Sequence, residues 1–246
     1  MRRGWWLSGL LVLVFAAVVI ARLPARWLTA RLPAELRCTE PSGTLWQGSC
    51  VSLALREQPL GGVSWQLHPF ALLGATLAAD VHVDGPGLTL ATALKLRRNG
   101  DLSMHDLKLT LELPTALIAR LSGDLSGHVT AELATLQIES GWLRDLRGRI
   151  ELTKLFSGGR EPAPLGNFEL LFEQPPVAGK IVGALRDLGG PLDVRGSLTL
   201  GSTPGYLLEG TAAARQEAND ALRQQLQLLG PADASGRHRF AQEAAL

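Results

Sequence analysis

The sequence predicts a mainly β protein, in which an N-terminal transmembrane helix precedes a mostly antiparallel sheet with one or two short helices. Three observations support this fold class. A long uncharged run stands near the start of the chain, apolar and polar residues alternate through most of the remainder, and glycine-rich turns separate the alternating segments. The 246 residues are enough to bury a substantial core.

The uncharged run extends from Gly4 to Ala21. Its 18 residues would span about 27 Å as a helix, close to the roughly 30 Å hydrocarbon core of a bilayer. Trp5, Trp6 and Trp27 stand where an aromatic belt is expected. The run exceeds the usual signal-peptide core of about 7–15 residues, so we predict a retained anchor. The alternative is a signal peptide cleaved after Ala21.

The segment between the anchor and the sheet is predicted to be a juxtamembrane linker or short helix. Pro24 suits the first turn of a helix, and Pro33 would end it. Leu23, Trp27 and Leu28 share one face, which would allow this helix to lie on the bilayer surface. A plain continuation of the anchor helix is the alternative.

Cys38 and Cys50 are the two cysteines of the chain. They flank a Pro-Ser-Gly turn, which could bring two antiparallel segments together. Two cysteines just beyond a membrane span fit one disulfide in an oxidising compartment, worth roughly 3 kcal/mol for a loop of this size. Two unlinked buried thiols are the alternative.

Alternation with a period of two predicts half-buried antiparallel strands from Val51 onward. The clearest case is the run in which Leu107, Leu109, Leu111 and Leu113 alternate with polar residues. The same pattern recurs along the chain, at 51–56, 77–84, 88–98, 129–136, 150–152, 168–172, 181–185, 194–200 and 206–212. Turn dipeptides such as Asn99-Gly100 separate the strands.

Two short helices and one long loop interrupt this pattern. Residues 113–121 predict a brief helix, and residues 157–167, rich in Gly and Pro, predict a loop. The second helix is clearer, because Asn219 or Asp220 can cap it and Gly230 followed by Pro can end it.

No catalytic or ligand-binding constellation is apparent. The five histidines are far apart in the sequence, and none forms a metal-binding pair of the H-x-x-x-H type. Nucleophile elbows and phosphate-binding glycine loops are absent from the sequence. Asp80 and Asp84 could share a strand face, but such pairs are usually exposed strand residues. We therefore predict no catalytic residues, no metal, no cofactor and no enzymatic activity.

The charge balance argues against a polyanionic partner. Lys and Arg number 24 against 23 Asp and Glu, so the net charge is close to zero. Nucleic-acid-binding proteins normally gather a basic excess on one face. We predict no nucleic-acid partner.

The segment Ser42-Gly43-Thr44-Leu45-Trp46-Gln47-Gly48 resembles the S-G-T-L-W-x-G signature of type II secretion system protein N. Other similar features follow in order along nearly the whole chain. They are the segment around Trp65, the Gly189-Gly190-Pro191 turn with the strand after it, the terminal helix, and Gly236-Arg237 in a short last strand. Trp46 would anchor against the sheet, or simply fill the core.

The resemblance implies an accessory inner-membrane component of type II secretion, acting as a periplasmic scaffold or interaction module whose partners are other secretion components. A more distant similarity to AsmA-like proteins implies an elongated, curved sheet. It also supplies the alternative function, a groove that binds or transfers lipid. A helix packed over the apolar face would favour the scaffold, and an open apolar concavity would favour the groove.

Orientation rests on two opposing signals. The arginines after the run would place the body in the cytoplasm by charge counting. The cysteines and the family resemblance favour the periplasm, and we follow them. The predicted regions are a cytoplasmic tail, a transmembrane anchor, a juxtamembrane linker, a periplasmic β-domain and a C-terminal helix with a tail, at 1–3, 4–22, 23–37, 38–214 and 215–246.

Overall fold

The computed structural model describes residues 11–12, 15, 18–30, 35–55, 58–113, 125–158, 163–201 and 205–244. Across these residues the chain is mainly β, with consecutive strands antiparallel and few helices, which confirms this part of the predicted fold class. The strands are β1 Leu36–Gly43, β2 Gln47–Leu55, β3 Gln58–Leu67, β4 Thr76–Gly85, β5 Leu88–Arg97, β6 Leu102–Leu113, β7 Leu125–Glu139, β8 Trp142–Ser157, β9 Ala163–Phe172, β10 Ile181–Asp187, β11 Leu192–Leu200, β12 Tyr206–Ala214 and β13 His238–Ala244. The helices are α1 Arg26–Thr29, a 3₁₀ helix at Pro69–Gly74, and α2 Asp220–Gln227.

The chain divides into two compact units, Met1–Pro86 and Gly87–Leu246. In the first unit, strands β1 to β4 form an antiparallel meander. A disulfide joins Cys38 on β1 to Cys50 on β2, with 5.7 Å between the two Cα atoms. Cys50 is buried, so the bridge also belongs to the small core of this unit.

In the second unit, strands β5 to β13 form a longer antiparallel meander, whose apolar residues lie in two clusters. The first cluster includes Leu222 and Leu226 of α2 together with Leu192 and Val194 of β11. The second cluster centres on strands β6 to β10 and includes Phe172, only 2% exposed. The helix therefore covers part of the apolar surface that the alternating pattern predicted.

Charged residues pair across strands β7 to β10 of this unit. Arg149 lies within 3.5 Å of Glu132 and within 3.8 Å of Glu169, and Arg186 donates a hydrogen bond to Glu169. Glu169 is only 2% exposed, so its carboxylate is shielded between two guanidinium groups. A buried carboxylate needs such partners, because an unpaired buried charge is costly.

Several predictions lie on residues that the structure does not describe. Most of the predicted anchor lies outside the described residues, at 4–10, 13–14 and 16–17. The same is true of 114–124, which contains most of the brief helix predicted at 113–121. Among the described residues, no helix is long and apolar enough to cross a bilayer, although 18–21 are helical. The anchor, the elongation and the curvature stay predictions.

The predicted loop and the C-terminal region differ from the structure. Strand β9 begins at Ala163, inside the segment 157–167 that its Gly and Pro content predicted to be a loop. Gly166 lies in this strand with φ of +113°, and the strand continues through it with an irregular register against β8. The last strand begins at His238, after Gly236 and Arg237, and pairs with β12.

Candidate functional site: the signature turn

The signature residues form the tight turn between β1 and β2. Gly43 and Gly48 are cross-strand partners, and the Thr44 amide donates to the Gln47 carbonyl at 2.8 Å. Gly43 has φ of +84°, and a Cβ there would stand 2.5 Å from the Gln47 carbonyl oxygen. A side chain at this position would therefore be strained and would clash, which accounts for the glycine.

Trp65, on the neighbouring strand β3, lies over this turn. A Cβ added to Gly48 would be 2.5 Å from the indole Cζ2 atom, so the glycine leaves the space that the ring occupies. The Trp65 indole N–H donates to the Leu45 carbonyl at 3.0 Å, and the residue is 9% exposed. Gly48 and Trp65, two residues of the predicted family motif, are therefore in direct contact.

The turn also holds the chain segment that precedes the sheet. The Trp46 indole N–H donates to the Ile20 carbonyl at 2.8 Å, and the Leu45 amide donates to the Leu23 carbonyl at 2.7 Å. In the opposite direction, the Ala25 amide donates to the Gly43 carbonyl at 3.2 Å. Ala25 is 1% exposed. Three hydrogen bonds therefore attach residues 20–25 to the first hairpin.

One of these bonds, from Trp46 to the Ile20 carbonyl, lies at the end of a helix. Residues 18–21 are helical, and the last carbonyls of any helix lack partners within that helix. Trp46 is half-buried, and it is directed to this helix end instead of filling the core. The site is thus a structural joint between the N-terminal segment, residues 20–25, and the strands that follow it, which together form the β-body.

The Gly189-Gly190-Pro191 turn lies in the second unit and is organised by Arg215. The Arg215 guanidinium donates to the Gly190 carbonyl at 3.0 Å and to the Leu192 carbonyl at 3.2 Å. It also donates to the Asp187 carboxylate at 2.5 Å. Next to this, Gly190 packs against the backbone of Gly166, because an added Cβ would be 2.7 Å from the Gly166 Cα atom.

A second arginine fixes the end of the chain. Arg237 donates to the Asp193 carboxylate at 2.7 Å and to the Thr211 hydroxyl at 2.9 Å. The hydrogen bond from Arg237 lowers the pKa of Asp193, and the Asp193 carboxylate raises the pKa of Arg237. The Ser235 hydroxyl, with the backbone amides of Arg237 and Ser235, lowers the pKa of Asp233. These bonds close the turn before β13.

Sequence reasoning missed Arg215 and the Arg237–Asp193 pair. Arg215 follows directly after the apolar strand β12, and Asp193 is a lone acid in β11. Single charges at strand ends are usually solvated, so neither gives a signal in the sequence. Their partners come from strands that are distant along the chain.

No group of three or more metal-ligating side chains comes together in the part of the chain that the structure describes. On the surface, His68 pairs with Asp80 at 2.9 Å, so Asp80 is part of an exposed ion pair between neighbouring elements. A shallow open pocket of about 540 Å³ lies around the paired Gly196 and Gly210 and is flanked by Phe240.

Fold and site together define an antiparallel β-body that is joined through its first hairpin to an N-terminal segment. The chain belongs to the type II secretion system protein N family, whose model matches residues 34–241. It is 26% identical over 251 aligned positions to the type II secretion system protein N of Aeromonas hydrophila, covering 96% of each chain. It is 35% identical over 83 residues to the protein of the same name from Vibrio cholerae, covering 33% of each. No solved structure matches the chain.

Proposed function

We propose that the protein is an accessory, non-catalytic inner-membrane component of type II secretion. One N-terminal anchor holds it in the membrane, and the β-body acts in the periplasm as a scaffold for other secretion components. Family membership supports the association with this machinery. The observation that carries the scaffold role is the joint at the signature turn, since Trp46, Leu45 and Gly43 attach the β-body to residues 20–25, which are the end of the predicted anchor and the residues directly after it.

A joint of this kind suits a scaffold. A freely rotating linker would let the β-body sample all orientations, whereas three hydrogen bonds and the buried Ala25 restrict it. Restriction of this sort lowers the entropy lost when a surface docks on a partner. The lipid-groove alternative has less support, because helix α2 packs over part of the apolar face in the second unit.

The function is tested by deletion and by one conservative variant. Deletion should reduce secretion of a type II substrate into the medium without abolishing it. Trp46→Phe keeps the aromatic ring but removes the donor to the Ile20 carbonyl. We expect it to remain membrane-bound and to restore secretion less well than Trp142→Phe, a matched substitution in the second unit. Unchanged secretion after deletion, with altered membrane lipid composition, would favour the lipid groove.

The topology is tested separately. Alkaline phosphatase fused after Pro33 or after Leu246 should be active in the periplasm. Inactive fusions at both positions would contradict the proposed orientation, and a mature chain beginning at Arg22 would contradict the retained anchor.

A further inference from the structure

An apolar 3₁₀ helix protrudes between β3 and β4 of the first unit. It covers Pro69–Gly74, and none of its residues is buried. Phe70 is 83% exposed, Leu72 47% and Leu73 88%. Single exposed apolar residues are ordinary on protein surfaces, but three within one turn form a continuous patch that needs an explanation.

The strand register places this helix at the same end of the sheet as the signature turn. Strand β2 starts at Gln47, which pairs with Gln66 near the end of β3. The Leu67 amide then donates to the Trp46 carbonyl at 2.6 Å. The 3₁₀ helix starts two residues after Leu67. It therefore lies beside the turn that holds the end of the N-terminal segment.

The remaining residues at this end have the composition of a membrane interface. Trp27 of α1 is 55% exposed, and α1 begins directly after Ala25, whose amide is bonded to Gly43. Arg22 and Arg26 are exposed as well. Tryptophan and arginine side chains both favour the headgroup region, where an apolar body and a polar tip are satisfied together.

We propose that the 3₁₀ helix at Pro69–Gly74 is a second membrane contact, which inserts Phe70, Leu72 and Leu73 into the outer leaflet of the membrane that holds the anchor. This inference rests on the proposed anchor, because the apolar helix is brought to the bilayer by the segment docked on Trp46. Apolar side chains of interfacial segments reach roughly 5–10 Å into the headgroup and acyl boundary. With the anchor, this contact fixes the tilt of the first unit on the membrane.

The test uses full-length protein with its native disulfide in vesicles of phosphatidylethanolamine and phosphatidylglycerol. Leu73→Cys supplies one free thiol for an environment-sensitive fluorophore, and unlabelled native protein serves as the blank. Gln58→Cys is the matched control, since Gln58 is exposed and is the first residue of β3, at the end of that strand opposite to the 3₁₀ helix. Nine residues of strand place it about 30 Å from Leu67.

We expect blue-shifted emission from the label at position 73, and quenching by lipids that carry a nitroxide near the headgroup. Quenching should be weaker with a nitroxide near the chain end, and absent for the label at position 58. Labelled protein that floats with the vesicles while position 73 stays unquenched would overturn the second contact and leave the anchor intact. Blue-shifted but unquenched emission would also overturn it and indicate cover by protein. Failure to float would overturn the anchor and this inference together.

Discussion

The packing of Trp65 on Gly48 makes a quantitative prediction. A methyl group at position 48 would be 2.5 Å from the indole ring, 2.8 Å from the Ser42 carbonyl oxygen and 2.9 Å from the Thr44 carbonyl oxygen. Two of these contacts are with backbone, which cannot move away without opening the turn. The ring must therefore shift, which would strain its hydrogen bond to the Leu45 carbonyl. Overpacking of this kind costs about 1–3 kcal/mol.

The expected result is that Gly48→Ala lowers the free energy of unfolding of the first unit by about 1–3 kcal/mol. Urea titration of the full chain in detergent, followed by tryptophan fluorescence, measures it as a lower midpoint at unchanged slope. Gly74→Ala is the control, because no atom lies within 4 Å of a Cβ built there. Its effect should be small or stabilising by up to about 1 kcal/mol, through reduced freedom of the unfolded chain.

A double-mutant cycle separates the clash from other effects. Trp65→Leu alone should destabilise, because it removes a buried ring and its hydrogen bond. Combined with Gly48→Ala it should cost less than the sum, because the shorter side chain removes the contact between the methyl group and the ring, while the two backbone contacts remain. A coupling free energy of about 0.5–3 kcal/mol is expected for residues in direct contact. Equal effects of Gly48→Ala and Gly74→Ala, or strict additivity with Trp65→Leu, would refute the packing argument.

Three further predictions concern charges and the disulfide. Arg215→Met should lower the urea midpoint by the equivalent of about 1–3 kcal/mol, because the Gly-Gly-Pro turn loses its charge-assisted hydrogen bonds. The folded pKa of Asp193 is lowered, so its contribution to stability is present above its ordinary pKa of about 3.9 and is lost as pH falls through the folded value. Urea midpoints measured across this range should therefore fall less steeply in Arg237→Met than in the native protein. Alkylation without reductant should leave Cys38 and Cys50 unlabelled, and two freely labelled thiols would contradict the bridge. Cys50→Ser should lower the free energy of unfolding by about 2–4 kcal/mol relative to the oxidised native protein.

The strands were predictable from sequence because their signal is local. The alternation of Leu107, Leu109, Leu111 and Leu113 with polar residues predicts which side chains face the core. All four leucines lie in β6. The same holds for helix α2, where the Asn219 side chain accepts from the Leu222 amide at 2.9 Å as its capping position predicts. Each of these features depends on residues within a few positions of one another.

The joint could not be predicted, because its contacts connect residues far apart in sequence. Trp46 and Ile20 are 26 positions apart, and Trp65 and Leu45 are 20 apart. The resemblance singled out Trp46 and Trp65, but nothing in the sequence says that one indole faces a helix end while the other covers a glycine. The size of its side chain suggested that Trp46 either anchors against the sheet or fills the core.

The signature turn and the Gly189-Gly190-Pro191 turn share one physical arrangement. In each, glycines allow two backbone segments to approach, and a long side chain donates N–H groups to backbone carbonyls more than 20 positions away in the sequence. Trp46 does so for Ile20, and Arg215 does so for Gly190. Because these donors are occupied within the chain, the motif preserves the geometry of the β-body and leaves recognition to other surfaces. Variants that disturb partner contacts should therefore map to exposed strand faces and edges, and should leave the urea midpoint unchanged.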